Sequence, residues 1–218
     1  MLFLDSVGID DCTSWVATEI VSGVTCNATI LAKAGETSVS AAVRRILALE
    51  PMEVHAPVLS ECDDEAFAQA KMLAEIDPRV KVKIPIVASA GRYRSALIRR
   101  ACASRLPVNV TASISLPQLY YALSLDPGYI SVLWCRLRDA GTDPAQVVCS
   151  LAKRRDLFGL NTRIVIGSIR EPNDVTEALT QPADIVTVPP SILEDWLASP
   201  ASLGMAAQFA ADAEGLTA

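Results

Sequence analysis

The 218-residue chain carries 19 Lys and Arg against 25 Asp and Glu, a formal charge of −6, and it is 51% apolar but only 5% aromatic. So aliphatic a composition can offset the ordering entropy of folding, which excludes a disordered chain and fits an α/β protein whose strands are buried on both faces. The charges are scattered without a Lys/Arg stripe, so nucleic acid and anionic membranes are not expected partners, although a few local bases can still hold a phosphate.

From the start of the chain, Met1-Leu2-Phe3-Leu4-Asp5 lacks a basic segment and meets an acid at once, so no signal peptide is expected. No apolar run reaches the about 20 residues that span a bilayer, and a cytoplasmic location is expected. Strands are predicted near 2–5, 23–26, 53–58, 80–84, 107–111, 129–134, 163–167 and 184–188. Amphipathic helices are predicted between them at 9–21, 38–49, 64–75, 91–104, 116–124, 143–157 and 172–180, and two more near 190–197 and 202–213. The six cysteines form no C-x-x-C pair and His55, the one histidine, has no metal-like spacing to them, so no metal site is expected.

Eight strand–helix units without a linker point to one domain over 1–218, either a closed barrel or a long open parallel sheet. No glycine-rich phosphate loop follows a strand, which removes the usual support for a nucleotide-binding sheet. In a barrel the chemistry sits at the carboxyl ends of the strands. The polar residues there are Asp5, Asn27, Lys83, Thr111, Arg136 and Ser168. Asp5, Thr111 and Ser168 can equally be helix caps; Lys83 and Arg136 cannot. In Val80-Lys81-Val82-Lys83-Ile84-Pro85 the aliphatic residues take one face and the lysines the other. A buried amine loses proton affinity through desolvation, as a Schiff-base nucleophile requires. The alternative is a lysine snorkelling out of the barrel end, expected for Lys81.

Six short motifs then fall in one order: Leu2-Phe3-Leu4-Asp5, Gly23-Val24-Thr25-Cys26-Asn27, Val82-Lys83-Ile84-Pro85, Val108-Asn109-Val110-Thr111, Gly167-Ser168-Ile169-Arg170 and Thr187-Val188-Pro189. In that order the chain resembles the small transaldolase and fructose-6-phosphate aldolase family over nearly its whole length. The resemblance implies a (β/α)8 TIM barrel with a C-terminal helical extension over about 200–218. It also implies a cofactor-free class I aldol mechanism on sugar phosphates. By position, Lys83 matches the Schiff-base lysine, Asp5 the acid/base carboxylate and Thr111 the threonine that positions a water. Asn27 and Asn109 match binders of donor hydroxyls; Arg136 and Ser168 match the acceptor-phosphate site, with Arg170 nearby. The family often forms rings through its last helix, so a homo-oligomer is expected; Ile192, Leu193, Trp196 and Leu197, and later Leu203, Met205 and Phe209, either supply that apolar contact or cover the chain's own barrel.

Two departures stand out. Family members carry Glu or Gln where this chain has Pro57, and an aromatic residue where it has Leu133. His55, two residues before Pro57, shares its side of the strand. It is either a substitute for proton transfer or a neutral histidine packed inside the barrel. The expected activity is transfer of a three-carbon dihydroxyacetone unit between sugar phosphates, with a specialised substrate in view. The alternatives are an aldolase releasing free dihydroxyacetone or a related ketone, and an inactive sugar-phosphate-binding barrel.

Overall fold

In a computed structural model that describes residues 1–214, eight parallel strands close into a barrel in chain order. They are β1 (Leu2–Asp5), β2 (Val21–Thr25), β3 (Glu53–Pro57), β4 (Val80–Pro85), β5 (Val108–Ser113), β6 (Tyr129–Leu133), β7 (Arg163–Gly167) and β8 (Ile185–Val188). The helices are α1 (Ile9–Val16), α2 (Ala28–Lys33), α3 (Val39–Leu47), α4 (Asp63–Ala74), α5 (Ser95–Ala103), α6 (Leu116–Leu123), α7 (Trp134–Asp139), α8 (Pro144–Leu157), α9 (Pro172–Leu179), α10 (Pro190–Leu197) and α11 (Pro200–Asp212). The expected (β/α)8 barrel is the fold observed. No helix among the described residues is long and apolar enough to cross a membrane.

The strands form because their alternation suits a sheet covered on both sides. In β3, Val54 and Ala56 are fully buried against the helical layer, while Glu53, His55 and Pro57 belong to the opposite face. Parallel register carries this face around the barrel: Thr25 pairs with His55, Pro57 with Lys83, Lys83 with Asn109, and Asn109 with Tyr129. An apolar plug of Phe3, Tyr129, Val165 and Ile185 fills part of the interior. His55 sits edge-on to Phe3 and Tyr129, with ring centroids 5.7 and 4.9 Å away.

Two short helices were not expected from periodicity. α2 follows β2 directly, started by Asn27, whose side chain accepts from the Ile30 N–H. α7 begins at Trp134, which ends β6 one residue earlier than its β-like composition suggests. α1 also stops short of the predicted 21, because a turn with Glu19 at φ 59° leads into β2.

Gly23 is required by close approach. A Cβ at this position would lie 2.6 Å from ring carbons of Phe3 and 2.8 Å from the Glu53 carbonyl oxygen. The ring is held in the plug and the carbonyl belongs to the neighbouring strand, so neither yields easily. Gly23→Ala is expected to destabilise the protein by about 1–3 kcal/mol, the cost of overpacking a filled core. Chemical denaturation checks this; an unchanged midpoint would mean that β1 and β2 can separate freely.

Candidate active site

At the carboxyl ends of the strands lies a cavity of about 680 Å³. Its wall includes Asp5, Asn27, Lys83, Thr111, Arg136 and Ser168, each from a different strand or the loop after it. The structure therefore brings together the six strand-end residues singled out in the sequence. Lys83 is 8% exposed and its amine has no hydrogen-bond partner among the described residues. Lys81 behaves differently: its amine reaches the Pro78 carbonyl at 3.0 Å near the opposite end.

Asp5 stands over the interior from the end of β1. Its Oδ1 accepts from the Thr25 hydroxyl at 2.7 Å, and that hydroxyl lies 2.6 Å from Thr187 Oγ1. Burial pushes the Asp5 carboxyl above its ordinary value, against the charge of Lys83 and the Thr25 hydrogen bond, which pull it down. A carboxylate so placed takes up a proton more readily than a solvated one.

The mouth holds two residues of strained backbone. Ala112 and Ser168 both have left-handed backbone, φ 61° and 62°, and both line the cavity. At Ala112 the β5–β6 register slips between Val110 and Ser113, a bulge beside Thr111. Arg136 projects from α7 with no side-chain partner among the described residues. Asp139, three residues after Arg136, is paired with Arg170 at 2.8 Å. Lys33, the last residue of α2, also lines the cavity and has no side-chain partner among the described residues. Since β2 and β6 lie four strands apart in a closed barrel of eight, the helices that carry Lys33 and Arg136 follow strands on opposite sides of it.

Three expected site residues are placed elsewhere. Arg170 does not line the cavity; its guanidinium is turned to Asp139 and its N–H to Asp174. Asn109 is fully buried, its amide engaged by His55 and Ser131, and it does not line the cavity, so a direct contact with a donor hydroxyl is not what its placement offers. His55 is also fully buried, and both ring nitrogens are engaged, Nε2 with Glu53 at 3.0 Å and Nδ1 with the Asn109 amide nitrogen at 2.9 Å. It has no free nitrogen to pass a proton through water to Asp5 or Thr111, so the packed reading replaces proton transfer. Pro57 and Leu133 do line the cavity, which gives it an apolar side with Val58, Pro85 and Ile114.

Sequence reasoning missed Thr25, Lys33, Ser131 and Thr187 in the wall. For Thr25, Ser131 and Thr187 the signal was available: each belongs to the inward set of its strand once Lys83 fixes the register. Nothing in the sequence marks Lys33, which depends on a short helix that periodicity did not reveal. Cys26, beside Asn27, is 1% exposed, and burial pushes its thiol up to about 12, which makes it an inert filler.

Comparison with known proteins agrees with this geometry. The family model described as Transaldolase/Fructose-6-phosphate aldolase matches residues 2–217. A probable transaldolase of Desulforudis audaxviator is 34% identical over 192 residues, 88% of this chain and 87% of the relative. A probable transaldolase of Dehalococcoides mccartyi is 31% identical over 212 residues, 97% of this chain and 96% of the relative. Among solved structures, a mandelate oxidase carrying an FMN adduct superposes with a TM-score of 0.60 at 13% identity. That match covers 87% of this chain and spans 64% of the oxidase, and it speaks for the barrel fold alone.

The buried imidazole gives the protein an acid-sensitive element. Burial pushes His55 down from 6.5 to about 4; Glu53 pulls upward, and Lys83 and Lys81 add to the depression. The unfolded chain binds this proton near pH 6.5 and the folded chain only near 4. The histidine's contribution to stability is therefore complete above 6.5 and is lost progressively as pH falls toward 4. With a single histidine in the chain, the difference between the wild-type and His55→Phe denaturant midpoints from pH 6.5 to 5 reports on it, the raised Asp5 carboxyl being common to both. The wild-type midpoints are expected to fall relative to those of His55→Phe; an equal slope in both would assign the effect to carboxylates.

Proposed function

The chain belongs to the transaldolase/fructose-6-phosphate aldolase family, and on that premise we propose that it transfers a three-carbon dihydroxyacetone unit from a ketose phosphate to an aldose phosphate through a Schiff base on Lys83. The observation that carries this is the buried, unpartnered amine of Lys83 in the same cavity as the Asp5 carboxylate. The neutral amine adds to the ketose carbonyl and expels water, leaving an iminium. Asp5 takes the proton of the hydroxyl on the far carbon of the bond to be broken. The electrons of that carbon–carbon bond move into the iminium, an aldehyde leaves, and an enamine remains on Lys83. The enamine then attacks the acceptor aldehyde, the proton returns to the new alkoxide, and water releases the product from the lysine.

Arg136 and the Ser168 hydroxyl suit the acceptor's phosphate, since a guanidinium without a carboxylate partner keeps its donors available. Lys33 supplies further positive charge at the same mouth. Asn27 holds α2 by its oxygen and keeps its amide nitrogen free of protein partners among the described residues, as a hydroxyl binder requires. Thr111 suits the positioning of a water. The apolar side formed by Pro57 and Leu133 favours a specialised sugar over a standard one.

A homo-oligomer completes the reading. α11 buries none of its residues in the single chain and leaves Leu203, Met205 and Phe209 72%, 57% and 63% exposed, an apolar face suited to a second copy. The expected residues 215–218 of the C-terminal extension lie outside the described ones.

A ketose phosphate with borohydride is expected to add the mass of the reduced three-carbon unit to Lys83 and inactivate the protein, and Lys83→Arg to abolish the adduct. Peptide mapping decides; an adduct on Lys81 or Lys153 alone would remove the nucleophile from this scheme.

Pro57 generates the second expectation. It lies beside Lys83 on the neighbouring strand and cannot move a proton to or from water. Hydrolysis of the iminium then lacks general acid–base help, typically worth about 10²–10⁴ in rate. The covalent intermediate should persist until an aldehyde captures it, giving transfer with little free dihydroxyacetone. Pro57→Glu is expected to raise breakdown of the donor without an acceptor by at least about tenfold. Equal release of dihydroxyacetone with and without an acceptor in the wild type would favour the aldolase reading instead.

A further inference from the structure

A short row of hydrogen bonds crosses β1 at the Asp5 side of the cavity. The Thr25 hydroxyl donates to Asp5 Oδ1 at 2.7 Å and lies 2.6 Å from Thr187 Oγ1. β1 runs between β8 and β2, so the two threonines meet over it. Thr25 is 1% exposed and Thr187 4%, and both line the cavity. Oδ2 of Asp5 has no hydrogen-bond partner among the described residues.

The protons of this row follow one from another. Thr25 gives its single hydroxyl proton to the carboxylate, which can only accept. The contact at 2.6 Å therefore uses the proton of Thr187, which donates to the Thr25 oxygen. Packing holds Thr187 in that pose. A Cβ at Gly167 would lie 3.1 Å from Thr187 Cγ2, so the threonine methyl rests on bare backbone of the neighbouring strand β7. A β-branched side chain has few rotamers, and with its methyl seated there Oγ1 stays on Thr25.

We propose that Thr187 is a positioning residue for carbon–carbon cleavage: by donating to Thr25 it pins Oδ1 of Asp5 and leaves Oδ2 as the oxygen that takes the substrate's proton. Asp5 acts as this base only on an iminium at Lys83, so the role rests on the function proposed above. Donors in a row that ends on an anion strengthen one another, and a bond to the carboxylate exceeds the same bond to the neutral acid. Oδ1 keeps Thr25 in both forms, so the row favours the carboxylate. Thr187 thus opposes, at one remove, the burial that pushes the Asp5 carboxyl up. Around Asp5 the titratable groups are Lys83 on β4, which pulls its carboxyl down, and the buried Cys26 thiol, pushed up to about 12. On α1, Asp11 accepts from the Ser6 hydroxyl at 3.3 Å; β8 carries no ionisable side chain, and Lys33 and Arg136 share the cavity wall.

Thr187→Val keeps the shape of the side chain and removes the donor; Thr187→Ser keeps the donor and gives up the methyl. Two quantities are measured in each. One is the titration of Asp5, read from the 13C resonance of its labelled carboxyl carbon and assigned by its absence in Asp5→Asn. The other is aldehyde release in a single turnover of fructose 6-phosphate over the same pH range. In Thr187→Val the Asp5 midpoint is expected to rise, and the acid limb of the cleavage rate to move to higher pH with it. Above that limb the rate should fall by about tenfold, part of the roughly 10²–10⁴ that a well-placed general base contributes. Thr187→Ser should restore the midpoint and most of the rate. Should Thr187→Val fail to fold, Thr187→Ala removes the same donor with a smaller side chain and carries the same expectation.

A merely structural Thr187 would lower the rate at every pH alike and leave the Asp5 titration where it is. That result overturns the proposal, as does a serine variant as impaired as the valine one. A wild type in which fructose 6-phosphate and borohydride leave no adduct on Lys83 overturns the Schiff-base reading instead, and the Asp5 titration still reports whether Thr187 acts on the carboxyl.

Discussion

A closed parallel barrel has little water below its mouth, so most polar side chains that its strands turn inward there find partners among the others. Here three residues of the β3 inward face, Glu53, His55 and Pro57, set the terms. Glu53 collects Arg163 and Tyr129 from across the barrel, and burial, which alone would raise its carboxyl, is overcome by these partners and His55, which hold it at about 2. His55 passes the constraint upward to Asn109 and Ser131. Pro57 ends the column with a residue that neither donates nor moves a proton. The reacting end of the cavity is thus built on a floor whose hydrogen bonds are already committed before any substrate arrives.

That arrangement divides labour between floor and rim. Deep inside, Lys83 and Asp5 meet in a small volume where the carboxyl is raised by burial and steadied by Thr25. At the mouth, Arg136 and Lys33 sit on short helices that follow their strands at once, and both side chains stay clear of carboxylates among the described residues. Arg138, two positions after Arg136, is instead tied to Asp174 at 2.6 Å, and Arg170 to Asp139 at 2.8 Å. Neighbouring acids thus engage the other arginines of this corner and leave Arg136 available to an anion.

Much of this was legible in the sequence because parallel register converts spacing into position. Once Lys83 is read as inward, Asp5, Thr111 and Ser168 follow from their places at strand ends, and Pro57 follows from the β3 alternation. Partner choice was not legible. Whether Asp139 would take Arg136 or Arg170 depends on the turn of α7, a six-residue helix too short to show a period. Asn109 was read as touching substrate from the family resemblance, but its depth depends on how far β5 runs past it, to Ser113, through a bulge at a left-handed Ala112. His55 alternated correctly between two readings, and only the positions of Glu53 and Asn109 distinguish them.

One remaining feature bears on how the protein behaves in solution. α11 is a 13-residue helix with no residue buried in its own chain. Helices of that length are marginal in water unless something packs on them. With a second copy packed on it, as proposed above, its local order is governed by mass action: dilution should unwind this segment while leaving the barrel intact, and helix content, usually a property of the chain, becomes a function of protein concentration.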